Sequence, residues 1–99
     1  MTAPQTTPPN GRRIVGAAVL DDHLNIISLP PPARHHDCMA WARAIGNYKM
    51  VSPDRQGFIT NRREYVDREQ AMVIARAAKQ LLPIAPTGPA NILFSEDVW

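Results

Sequence analysis

The sequence predicts an α+β fold: a small antiparallel sheet built from two hairpins, with two helices, in a chain that associates with further copies of itself. Three observations predict it. Ile14 to Leu20 is a continuous apolar run separated by turn residues from a second, loosely alternating stretch, Leu24 to Leu29. Phe58 to Thr60 and Tyr65–Val66 flank a polar tip in the same way. Behind each hairpin, apolar residues recur at three- and four-residue spacing, the period of a helix face. The expected order is strand, strand, helix, strand, strand, helix, strand.

Met1 to Asn10 is Thr, Pro and Gln with almost no apolar content, so it reads as a disordered tail before a single domain over residues 11–99. Ile14 to Leu20 has the continuous apolar character of a strand covered on both faces, which points to a partner subunit. Asp21, Asp22 and His23 supply the turn. Pro30 to Pro32 hold an extended segment, after which Cys38, Trp41, Ala42 and Ile45 share helical spacing and Gly46 stands where a C-terminal cap belongs. The first helix therefore runs from Arg34 or His35 to Ile45. Met50 to Arg55 connects to the second hairpin. Asn61 tolerates the left-handed backbone of a tight reversal, and Phe58 and Tyr65 are expected to face one neighbourhood when that hairpin closes. Asp67 and Gln70 have the spacing of a reciprocal cap, and Ala71, Ile74, Ala75, Ala78 and Leu81 form the buried face of a second helix. Pro83 places its stop near Leu81 or Leu82. Pro83 to Ala90 reads as an irregular loop, and Ile92 to Phe94 as a short terminal strand or apolar anchor.

A chain of 99 residues supports only a modest core, so self-association is a natural supplement. The formal charge of +2 suits a small anionic ligand but is too weak to indicate nucleic acid by itself. A single cysteine excludes an internal disulfide and any CxxC metal or redox motif, which makes a reducing cytoplasm the default. No apolar run approaches the roughly 20 residues of a membrane span, and the N-terminal residues lack a signal peptide's apolar core. No metal or cofactor is expected.

The sharpest chemical constellation is Arg34, His35, His36, Asp37. A helix N-terminus offers unpaired amides and partial positive charge, and an arginine with two imidazoles beside it is suited to a phosphate or pyrophosphate. The plainer alternative is a helix entry with one histidine packed and one solvated. Adjacent helical side chains diverge by about 100°, so the two histidines make a poor metal pair. Cys38 falls on the apolar stripe and reads as core. Arg62, Arg63 and Arg68 form a second basic cluster at the hairpin tip and second helix start, open to phosphates or simply solvated. Phe58 offers a face for a purine or a core packing unit. Acid-base chemistry by His35 or His36 with Asp37 lacks a nucleophile or oxyanion donor, so no enzyme is expected.

Four blocks, SLPPPARHHD (Ser28 to Asp37), QGF (Gln56 to Phe58), YVDREQA with Ala75, Ala78 and Gln80 following, and LFSEDVW (Leu93 to Trp99), together resemble the first family of Thoeris anti-defence proteins. The resemblance covers most of Leu24 to Trp99. It implies a small phage or prophage protein that acts in the cytoplasm of the infected bacterium. It also implies a homo-oligomer, dimer or hexamer, that sequesters cyclic ADP-ribose isomers without cleaving them, with cyclic di- or trinucleotides as further ligands. On it, Arg34, His35 and His36 match the basic histidine block, Phe58 the QGF aromatic, and Asp67 and Arg68 the helix-start pair. Where that family's hairpin usually carries a glycine before the return strand, this chain has Arg62, Arg63 and Glu64. The alternative reading is a phage nucleic-acid-binding or protein-interaction module that uses the basic hairpin tip.

Overall fold

The computed structural model describes residues 11–21, 23–45 and 55–99. Strands β1 (Ile14–Leu20), β2 (Ile26–Leu29), β3 (Gln56–Thr60) and β4 (Tyr65–Asp67) form one antiparallel sheet in the order β2-β1-β3-β4, with helices α1 (His35–Ala44) and α2 (Arg68–Ala77). The expected proline-rich tail and the Gly46 cap lie outside the described residues.

The register explains which side chains meet the helices. Ala17 lies opposite both Leu29 and Phe58, Phe58 lies opposite Val66, and Val19 lies opposite Ile27. These residues pack with Cys38 and Ala42 of α1 and with Ala71, Met72 and Ala75 of α2, so both helices cover one face of the sheet. Alanines at the contact positions let the helix backbones come close. Tyr65 lies opposite Ile59 and therefore points to the other face. The expectation that Tyr65 and Phe58 share a neighbourhood is corrected: pleat parity separates them. An irregularity between Ile14 and Gly16 shifts the β1–β3 register there.

The first turn is organised by Asp21. Its carboxylate accepts the backbone N–H groups of His23 and Asn25, both at 2.8 Å, and these bonds, that of Asn25 above all, hold its pKa below the usual value. The first helix spans nearly the expected residues, with Asp37 accepting the Arg34 amide at 2.8 Å. Its stripe is only half buried, however. Cys38 and Ala42 are in the core, whereas Trp41 is 51% and Ile45 46% exposed.

At α2 the reciprocal cap forms as expected: Asp67 accepts from the Gln70 amide at 2.7 Å and Gln70 accepts from the Asp67 amide at 3.0 Å. The helix ends at Ala77, earlier than the proline implies. Lys79 takes a left-handed conformation (φ 57°), its N–H reaching Arg76 and that of Gln80 reaching Ala75, a Schellman turn made without glycine. The Gln80 amide is thereby placed to bond both the N–H and the carbonyl of Ile14, each at 2.8 Å, joining the helix end to the first strand.

The expected terminal strand is absent. Leu93 is fully buried, its N–H donates to the carbonyl of Arg68, and the chain then turns through a short 3-10 segment, Ser95–Asp97. The apolar run is an anchor, so the described sheet has four strands.

Candidate functional site

Both helix starts, the beginning of β3 and the segment Leu93–Trp99 come together at one end of the hairpin. Arg34 stands at the N-cap of α1 and Arg68 opens α2. Arg34 Nη2 donates to the Trp99 carbonyl, and Arg34 Nη1 lies 4.0 Å from Glu96 Oε2. Arg68 Nη1 donates to the Leu93 carbonyl at 3.2 Å and its Nη2 to Gln56 Oε1 at 2.7 Å, with the guanidinium over the Phe94 ring at 4.7 Å. The two arginines thus grip the same terminal segment from different helices.

Between them lies His35, buried and bonded through Nε2 to the Gly57 carbonyl at 2.7 Å. A carbonyl only accepts, so Nε2 carries the proton. Burial, reinforced by the Arg68 charge, lowers the His35 pKa to about 4, and the ring is neutral at neutral pH. Gly57 is required here. A Cβ at that position would run into the Val66 carbonyl and come within 2.7 Å of the Tyr65 ring, which crosses this point on the other face. Phe58 meets His35 edge-on with centroids 4.9 Å apart and Trp99 at 6.4 Å. The Trp99 indole N–H donates to the Ala33 carbonyl at 3.0 Å, which ties the last residue to the approach to α1.

Of the residues singled out from the sequence, Arg34, His35, Phe58 and Arg68 converge. His36 instead turns outward, 75% exposed, with Nε2 3.3 Å from Asp37 Oδ1. Asp67 lies opposite Gly57 in the register, but its carboxylate accepts from the Gln70 amide. Phe58 is 0% exposed, so it forms the floor of this region beneath His35 and Trp99. Gln56, Glu96 and Trp99 were not singled out individually. The LFSEDVW block held the signal for the last two, through an acid and an indole beside an apolar anchor.

The second basic cluster comes apart in the structure. Arg62 and Arg63 are exposed at the hairpin tip, whereas Arg68 belongs to the opposite end. Glu64 folds back onto Arg12 in a two-pronged pair (2.7 and 2.9 Å), whose hydrogen bonds hold the carboxyl pKa down to about 2. Arg63 itself adopts φ 61°, the conformation that a glycine would take without strain.

A separate cleft of about 310 Å³ lies between α2 and the loop at Ala90. Its polar groups bond across it, Arg76 to the Ala90 carbonyl and Asn91 to Glu69. Among the described residues no helix is long and apolar enough to cross a membrane, and no group of three or more His, Cys, Asp or Glu could hold a metal ion.

No curated protein and no solved structure matches the chain. A family model described as Phage T4 y16D protein matches residues 13–99, which takes in every strand and helix described above as well as the terminal segment. The chain therefore belongs to the phage T4 y16D protein family.

Proposed function

We propose that this phage-family protein binds and sequesters a cyclic ADP-ribose-type nucleotide signal in the infected bacterial cytoplasm, blocking Thoeris-type immunity, and that it does so without chemistry on the ligand. The observation that carries the reading is the convergence of Arg34 and Arg68, from two helix starts, on an aromatic-lined region bearing Phe94 and Trp99. A pyrophosphate calls for guanidinium groups near helix-start amides, and an adenine calls for an aromatic face. In this reading His35 and Phe58 act from beneath: the neutral imidazole fixes the start of α1 to β3, and the Phe58 ring supports it and Trp99. His36, turned outward, and Asp67, engaged as the cap of α2, stand at the margin of this site and not among the converging residues.

Self-association belongs to the same reading. A thin domain encloses a small ligand most readily between copies. On the sheet face opposite the helices Ala18 is already covered within the chain, and it is the exposed Ile26, near the sheet edge, that offers an apolar contact to a second copy. A dimer or a hexamer would repeat the site, and cyclic di- or trinucleotides would find places at other contacts.

Arg34→Ala is expected to weaken binding of a cyclic ADP-ribose isomer by at least about tenfold, because a phosphate oxygen loses a charge-assisted partner. Arg34→Lys should recover only part of this, since an ammonium does not reproduce the planar fork. Calorimetric titration of the folded variants checks it. Unchanged affinity in Arg34→Ala would place the ligand elsewhere.

A further inference from the structure

The turn that Arg34 and Arg68 grip carries an acid of its own, and its bonding is loose compared with the bonding around it. Glu96 Oε2 is 4.0 Å from Arg34 Nη1, and Glu96 Oε1 is 3.4 Å from Ser95 Oγ, both long for charge-assisted contacts. The Glu96 side chain is 48% exposed and that of Arg34 37%. The two arginines bracket it along the chain, Arg68 holding Leu93 and Phe94 on one side and Arg34 holding Trp99 on the other. Its field reaches Arg68 and the buried His35, favouring the charged form of each.

Among the described residues Glu96 is the side-chain carboxylate that faces these two guanidinium groups, and without it their charge would be left open to an incoming anion. We infer that Glu96 is a built-in anion that holds the place of a phosphate group between Arg34 and Arg68 and gives it up when a pyrophosphate-bearing ligand enters. This rests on the nucleotide-binding reading given above and assigns a specificity residue to it. A half-exposed ion pair is weakly held, so displacement costs little. The same carboxylate repels weaker anions that offer no more than the one charge it already supplies. The site would thereby favour a multiply charged phosphate ligand over the abundant monoanions of a cell.

Inorganic pyrophosphate is the probe. Titrated by calorimetry at low salt, Glu96→Gln and Glu96→Ala should each bind it about three- to fivefold tighter than the parent, from loss of a competing surface ion pair. Glu64→Gln removes the same charge at the far end of the hairpin and should bind like the parent. Melting curves confirm that the variants are folded. Equal or weaker binding by the Glu96 variants, including no binding by any protein, overturns the inference, as does an equal gain in Glu64→Gln, which would reduce the effect to net charge. A parallel titration of the parent with cyclic ADP-ribose separates the two ideas. Pyrophosphate gains without cyclic ADP-ribose binding would leave the Glu96 anion site standing and remove the signal-binding reading.

Discussion

Phe58→Ala lowers the unfolding free energy by about 3 to 5 kcal/mol, the cost of truncating a fully buried aromatic side chain. The ring lies opposite Ala17 and Val66, packs in the core shared by both helices, and makes edge-on contacts with His35 and Trp99. Aromatic pairs of this kind contribute about 0.5 to 1.5 kcal/mol beyond burial, so the loss belongs at the upper end of the range. Native domains are stable by only about 5 to 15 kcal/mol, and the variant should sit near the edge of folding. Phe58→Leu fills much of the space and should cost less than about 1.5 kcal/mol. Urea denaturation of the two variants, read as midpoints at unchanged slope, measures both. A loss below about 1 kcal/mol in Phe58→Ala would mean that the ring does not close the core. For ligand work Phe58→Leu is the informative variant, because it removes the ring that supports His35 and Trp99 from beneath while sparing the fold.

The second large effect falls on Asp97. This carboxylate is fully buried, accepts the N–H of Thr87 at 2.7 Å through one oxygen and that of Phe94 at 2.9 Å through the other, and lies next to the residues that Arg34 holds. Alanine there leaves two buried donors without their acceptor, at a cost of about 2 to 5 kcal/mol. The loss is local before it is global. Leu93 to Trp99 should loosen first, releasing the Trp99 indole from Ala33 and the Arg34 guanidinium from the Trp99 carbonyl. Hydrogen exchange is expected to show fast amides at Thr87 and Phe94 in Asp97→Ala while Ala17 and Val19 in β1 remain protected. Unchanged protection in the terminal segment would show that Leu93 alone anchors it.

How much of this was legible in the sequence depends on how local the determining interaction is. The start of α2 was readable because Asp67 and Gln70 cap each other within one turn. Its end was not, since Lys79 takes a left-handed conformation that sequence rules assign to glycine. The two hairpins followed from apolar runs and turn residues. Ile92 to Phe94 was ambiguous for the usual reason that a short apolar run fits a strand and a buried anchor equally well, and the hydrogen bond that decides, Leu93 to Arg68, joins distant parts of the chain.

The site divides along the same line. Arg34 and Arg68 were singled out by their position at helix starts, a local property. That they hold one terminal segment, with Glu96 between them, depends on contacts that no spacing announces. Phe58 was readable as an aromatic strand residue, but its complete burial follows from the pairing of β1, β3 and β4.

Capture and release of the ligand tests the central claim most directly. The protein is incubated with a cyclic ADP-ribose isomer, unbound material is removed by filtration, the retained protein is denatured by heat, and the released small molecules are identified by mass. Depletion of the signal from the filtrate, followed by recovery of the intact cyclic molecule on denaturation, is the expected result. A signal that passes the filter undiminished, or that returns as a cleaved product, would contradict sequestration without chemistry.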